Sequence, residues 1–197
     1  MIVQSKKNTN QNLNKIISTI MKSLKSYIQE KLIIKKNKNN SYKYFPKTKE
    51  ELKDIILKRI EAEGNKVDLN DIDVSKITDM SDLFVGTNFN GDISTWNVSK
   101  VTNMNSMFYG CEEFNQDISS WDVSNVTSMS YIFGWCEDFN KDISSWDVSN
   151  VTNMYAMFYK CKSFNQDISG WNVSNVKVMS HIFNDCPIKE KHKPKFK

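Results

Sequence analysis

The chain has 197 residues, 39% of them hydrophobic, with six glycines and three prolines, which excludes a low-complexity polypeptide and allows one ordinary domain with tails. No apolar run approaches the roughly 18 residues of a membrane-spanning helix. The net charge of +4 hides a division, because residues 1–66 carry +10, residues 67–186 carry −10 and residues 187–197 carry +4. An acidic body repels phosphates, so nucleic acid is not expected there. The basic ends suit nucleic acid, an anionic membrane or the acidic body of another copy, and solvated lysines are the plainer reading.

The start, Met1 to Lys7, shows neither the apolar stretch nor the small-residue cleavage site of a signal peptide, so the chain as written reads as cytoplasmic. Residues 1–45 form a basic N-terminal segment. Within it Leu13, Ile16, Ile17, Ile20, Leu24, Tyr27 and Ile28 follow helical spacing, and Lys15, Lys22 and Lys25 fall off that face. This amphipathic helix is expected to pack on the body or on another helix. Attachment to a membrane surface through Leu13–Ile34 is an alternative. Residues 35–41 read as a linker.

A second helix is predicted inside residues 46–66. Thr48-Lys49-Glu50-Glu51 fits a capping box, Leu52, Ile55, Ile56 and Ile60 make one apolar face, and Gly64 is a natural stop. It stands directly before a repeat array, whose first unit needs its open apolar end covered, so it is read as an N-terminal cap.

Residues 67–187 hold the array. Trp96, Trp121, Trp146 and Trp171 are 25 apart, and so are Cys111, Cys136, Cys161 and Cys186. Such a period marks units that pack mainly on their neighbours. Val67 to Gly91 is a degenerate first unit, with Thr87 in the cysteine place and one residue fewer across its last turn. In a regular unit, Asp117 to Val123 alternates like a short strand, while Val126, Met129, Ile132 and Phe133 follow helical spacing. The expected fold is therefore an α/β solenoid, leucine-rich-repeat-like, of about five strand-plus-short-helix coils with parallel strands about 4.8 Å apart. The array ends at Cys186-Pro187 without an obvious cap, and residues 188–197 read as a basic disordered tail.

The run Val-x-x-Met-x-x-Met/Ile-Phe-x-x-Cys-x-x-Phe-Asn-Gln-Asp-Ile-Ser-x-Trp-Asp-Val-Ser resembles the BspA-type leucine-rich repeat, in the mycoplasma-type variant of unknown function. The resemblance implies a curved leucine-rich-repeat-like solenoid and a bacterial surface or adhesion protein.

Four residue types recur in register. One cysteine per unit is expected to form a buried apolar ladder, since parallel side chains are poorly angled for disulfides and no second metal ligand lies nearby. Asp92, Asp117, Asp142 and Asp167, each preceded two residues earlier by an asparagine, are expected to satisfy turn amides, with calcium as the alternative. The tryptophans suit core or groove lining better than a stacking platform. The two histidines, His181 and His192, stand in no triad arrangement, and no enzyme activity and no cofactor are expected.

The positions that differ between units are the informative ones. Asn105, Ser130, Tyr155 and Ser180 share one place. Ser106, Tyr131, Ala156 and His181 share the next, and Gly110, Trp135, Lys160 and Asp185 a third. The candidate partner-binding residues are therefore Asn105, Tyr131, Trp135, Tyr155, Lys160 and His181, together with Asp117 and Asp142. The expected function is a non-enzymatic module that binds a protein partner. The alternatives are self-assembly, as a homodimer through the C-terminal end of the array, and the membrane attachment above.

Overall fold

The computed structural model describes residues 42–196. The amphipathic helix and the membrane-attachment segment, Leu13–Ile34, lie outside the described residues. Among the described residues there is one α-helix, α1 (Lys49–Glu63), and one 3-10 turn (Glu190–His192). None of their helices is long and apolar enough to cross a membrane.

α1 forms where its ends are satisfied. Thr48 is the N-cap, and its hydroxyl accepts the Glu51 N–H at 3.2 Å. The Glu51 carboxylate accepts from the Lys47 N–H at 2.8 Å, one residue earlier than a standard capping box. Gly64 ends the helix at φ 87°, a left-handed conformation that costs glycine little. Leu52, Ile55 and Ile56 face the first unit and are buried.

The strand-plus-helix solenoid is not what the chain builds. Among the described residues no unit contains a strand or a helix. Each is a coil of successive turns, and consecutive coils meet through single parallel bridges: Asp79 with Asn103, Asn103 with Ser128, Ser128 with Asn153, and Asn153 with Val178. The predicted short helix over Val126 to Phe133 is instead a ribbon of turns. Ile132, Gly134 and Cys136 donate to the carbonyls of Met129, Tyr131 and Phe133, each three residues back. Tyr131 and Trp135 sit at φ 55° and 62°, so the backbone reverses hand every fourth residue. That period buries Met129, Ile132, Phe133 and Cys136 completely. A helix would bury the same i, i+3, i+4, i+7 set, which is why the spacing misleads. The predicted strand over Asp117 to Val123 is two more turns, closed by Trp121 N–H to Ile118 O at 3.1 Å and Val126 N–H to Val123 O at 2.9 Å.

The ribbon pairs its central backbone groups by alternation. Met129, Tyr131, Phe133 and Trp135 donate forward, to Asn153, Tyr155, Met157 and Tyr159 of the next coil, at 2.7–3.1 Å. Ser128, Ser130, Ile132 and Gly134 accept from Met104, Ser106, Phe108 and Gly110 of the coil before. Each central residue thus uses one polar group within its coil and the other between coils. Burial of the ribbon therefore leaves the N–H and C=O groups of Met129 to Gly134 paired.

Two files of phenylalanine run through the core. Phe84, Phe108, Phe133, Phe158 and Phe183 stack with centroids 5.3–5.9 Å apart. Phe89, Phe114, Phe139 and Phe164 form the second file, 3.9–4.2 Å from the first within each coil. Offset stacking of this kind adds to what burial alone contributes.

Residues 188–196, expected as a disordered tail, lie against the last coil. Ile188 and Pro194 are buried. Lys189 N–H donates to Asn165 Oδ1 at 3.0 Å, repeating the Asn165-to-Asn140 bond one coil earlier. The tail begins a further coil and then leaves it.

Candidate functional site

Three of the four ladders are structural. Cys111, Cys136 and Cys161 are buried free thiols whose Sγ atoms donate to Phe84 O, Phe108 O and Phe133 O at 3.3, 3.0 and 2.8 Å. Burial pushes Cys111 up to about 12 and half-buried Cys186 up to about 11, and it carries Cys136 and Cys161 well above the ordinary thiol value. Thiolate chemistry is therefore suppressed along the whole file. The indoles are 3–6% exposed, too little for a stacking platform. Their Nε1 atoms reach back one coil, from Trp96, Trp121, Trp146 and Trp171 to Leu69 O, Ile93 O, Ile118 O and Ile143 O at 2.9–3.3 Å. Each Asn Oδ1 accepts the N–H of its successor, as in Asn115 to Asn90 and Asn140 to Asn115 at 3.1 Å.

The aspartates are exposed and close turns. Asp117 and Asp142 accept the N–H groups of Ser119 and Ser144 at 3.0 and 2.9 Å. These backbone hydrogen bonds hold both carboxyls below the ordinary value of 3.8. Asp122 and Asp147 repeat the device five residues later, on Ser124 and Ser149. No group of three metal-ligating side chains converges among the described residues.

The remaining candidates lie on the outward side of the ribbon. There Tyr109, Tyr131, Tyr155 and His181 form a continuous chain of edge-to-face rings. Centroid separations are 5.5, 5.2 and 5.6 Å, and interplanar angles are 72–88°. Beside it, Trp135 meets Tyr159 at 6.2 Å, and Lys160 Nζ stands 3.7 Å above the Trp135 ring. Buried Gly134 makes room for this packing, because a Cβ there would stand 3.0 Å from the Tyr131 ring and 3.1 Å from the Tyr109 ring. All these aromatics are half-buried except His181, which is exposed.

The structure thus brings together Tyr131, Trp135, Tyr155, Lys160 and His181 on one face. Asn105 belongs to the same column as Tyr155 but is used internally, since its Oδ1 accepts from Ser128 Oγ at 2.6 Å and Ser130 N–H at 2.9 Å. Asp117 and Asp142 are occupied by their turns. Sequence reasoning missed Tyr109 and Tyr159. They share a fourth outward place with Val85, Gly134 and Asn184, and that variation from unit to unit was a legible signal.

No curated protein and no solved structure matches the chain. A family described as "Mycoplasma protein of unknown function, DUF285" matches residues 55–155 and again residues 121–193. The two matches overlap within the array and together run from α1 to the tail, so the chain belongs to this family of mycoplasma repeat proteins of unknown function.

Proposed function

We propose that the chain is a non-enzymatic interaction module that binds a protein partner along the outward aromatic face of the ribbon. One observation carries the reading. The residues that repeat are consumed by stacking one coil on the next, whereas Tyr109, Tyr131, Tyr155, Trp135 and Tyr159 vary from coil to coil and keep part of their surface in solvent. Partly exposed tyrosine and tryptophan with a cation alongside is the composition that dominates the energetics of protein interfaces. The rings already brace one another edge to face, so binding orders few new side chains. A cell-surface adhesion role rests on the likeness of the motif to BspA-type repeats alone.

The array supplies its own control substitutions. Ala156 occupies the Tyr131 place at φ 51°, and Gly110 occupies the Trp135 place. Tyr131→Ala, Trp135→Gly and Tyr155→Ser therefore install residues that neighbouring coils already accommodate. A photo-crosslinker at Tyr159 identifies the partner in lysate of the producing cell. The triple variant is expected to weaken that purified partner by two orders of magnitude or more, at about 1–2 kcal/mol per ring, with an unchanged melting temperature. Unchanged affinity would sink the proposal.

A further inference from the structure

The last ribbon, Met179–Asp185, has no successor among the described residues. In the coil before it, Met154, Ala156, Phe158 and Lys160 donate their N–H groups to Val178, Ser180, Ile182 and Asn184 at 2.8–2.9 Å. The equivalent N–H groups of Met179, His181, Phe183 and Asp185 form a row that meets no acceptor among the described residues. The tail leaves this row open. It covers the adjoining part of the coil, where Ile168 N–H donates to His192 O at 3.0 Å. Between tail and ribbon lies a cleft of about 660 Å³ walled by Met179, Ile182, Phe183 and Phe196. Lys191 and Lys195 also line it, both exposed and without an ion pair among the described residues, whereas Glu190 is engaged by Lys193.

The polarity of the row restricts what fits. The row that would meet a further coil consists of the four N–H groups of Met179, His181, Phe183 and Asp185, so two last coils meeting end to end would set that row of donors against its own copy. Nor does a second copy offer its first coil, because α1 lies over that coil and Lys49 Nζ is bound to Asp79 Oδ2 and Ser81 Oγ at 3.2 and 2.9 Å. A homodimer through this end therefore gains no backbone ladder.

We propose that the C-terminal edge of the stack docks an extended acidic segment of another protein. The segment adds as the next rung: its carbonyls, at every second residue, accept from Met179, His181, Phe183 and Asp185. Its apolar side chains enter the cleft, and its carboxylates meet Lys191 and Lys195. Continuity with the ladder fixes the backbone match and the two lysines fix the charge. This edge lies at the end of the stack, and the proposal stands or falls apart from the aromatic face.

Residue-resolved amide exchange on the full chain tests it, with a short synthetic peptide of alternating glutamate and valine as the probe. Without peptide, the amides of Met179, His181, Phe183 and Asp185 are expected to exchange freely while those of Met154, Ala156 and Phe158 are slow. With peptide, the same four amides are expected to slow. Lys191→Glu with Lys195→Glu is expected to weaken the peptide about tenfold, and a lysine–valine peptide is expected not to bind. Four amides already slow without peptide would mean that the chain itself or another copy covers the edge, and the proposal fails. It fails equally if neither peptide binds, if protection falls elsewhere, or if the double variant binds as well as the native chain.

Discussion

The two ends of the stack are finished by different means. At the first end a whole helix closes the core, with Leu52 and Ile56 fully buried and Arg59 bound to both oxygens of Asp71 at 3.0 and 3.2 Å. At the last end a partial coil covers part of the final turn, and the amides of Met179, His181, Phe183 and Asp185 meet no acceptor among the described residues. Closure at the first end is apolar and ionic, so it gives a neighbouring molecule little to extend. At the last end the docking proposed above would use the backbone itself, and would take a segment that brings carbonyls.

The largest contrast is expected from core truncation. Ile56→Ala, under α1, is expected to cost about 3–4 kcal/mol, and Ile188→Ala, under the tail, about half as much, because the partial coil relaxes more easily. Urea titration measures both, and equal losses would remove the distinction between the ends. Next is the ion pair at the first end. Asp71→Ala removes one of the two carboxylates on Arg59, which keeps Glu63 and the Asp68 carbonyl, and is expected to cost about 1–2 kcal/mol by the same titration. A close approach in the first coil gives a third test. A Cβ at Gly91 would meet Val67 O at 1.9 Å, so Gly91→Ala is expected to lower stability by about 2 kcal/mol or more. At the last end, Asp185 holds φ 55°, and Asp185→Gly is expected to gain about 1 kcal/mol by relieving that backbone.

Two smaller effects sharpen the same contrast. Under alkylation at mildly alkaline pH, half-buried Cys186 is expected to react before Cys136 and Cys161, which open only with the fold; peptide mapping reads the order. Acid acts on the whole array. Asp92, Asp117, Asp142 and Asp167 titrate below 3.8 because serine N–H or O–H groups donate to their carboxylates. Folded values below unfolded ones mean stability that is present above the unfolded value and lost as pH falls through the folded values. The urea midpoint is therefore expected to drop below about pH 4.

Much of the architecture was legible in the residues. The period, the N-cap Thr48, the stop at Gly64 and the apolar face of α1 follow from local chemistry that tertiary context does not override. The burial of the cysteine and tryptophan files was legible for the same reason, since one residue type at one place in every unit has only its own copies to pack on. The conformation of the coil was not legible. Its inward residues fall at helical spacing, and the left-handed sites are held mostly by residues that ordinarily avoid them, including Tyr131, Trp135 and Lys160. Gly86, Gly110 and Asp185 in one register place were the available hint, because glycine and aspartate tolerate positive φ. The outward face was half legible: variation located Tyr131, Trp135 and Tyr155, but not their edge-to-face contacts or the notch at Gly134. The open amide row was not legible at all, because it depends on a ribbon that no periodicity announced.

The one-way ladder has a consequence for how such chains change length. The ribbon of every interior coil donates forward through the same places and accepts from behind through the same places, so each junction is blind to how many others exist. An in-frame duplication or loss of one unit within the array leaves all remaining junctions, α1 and the tail as they were. A deletion of one residue inside a ribbon shifts donors onto donors, whereas the shorter first unit shows that the turn after the ribbon accepts one residue fewer. Lineages carrying this array are thus free to vary its reach in whole steps while the two ends stay constant.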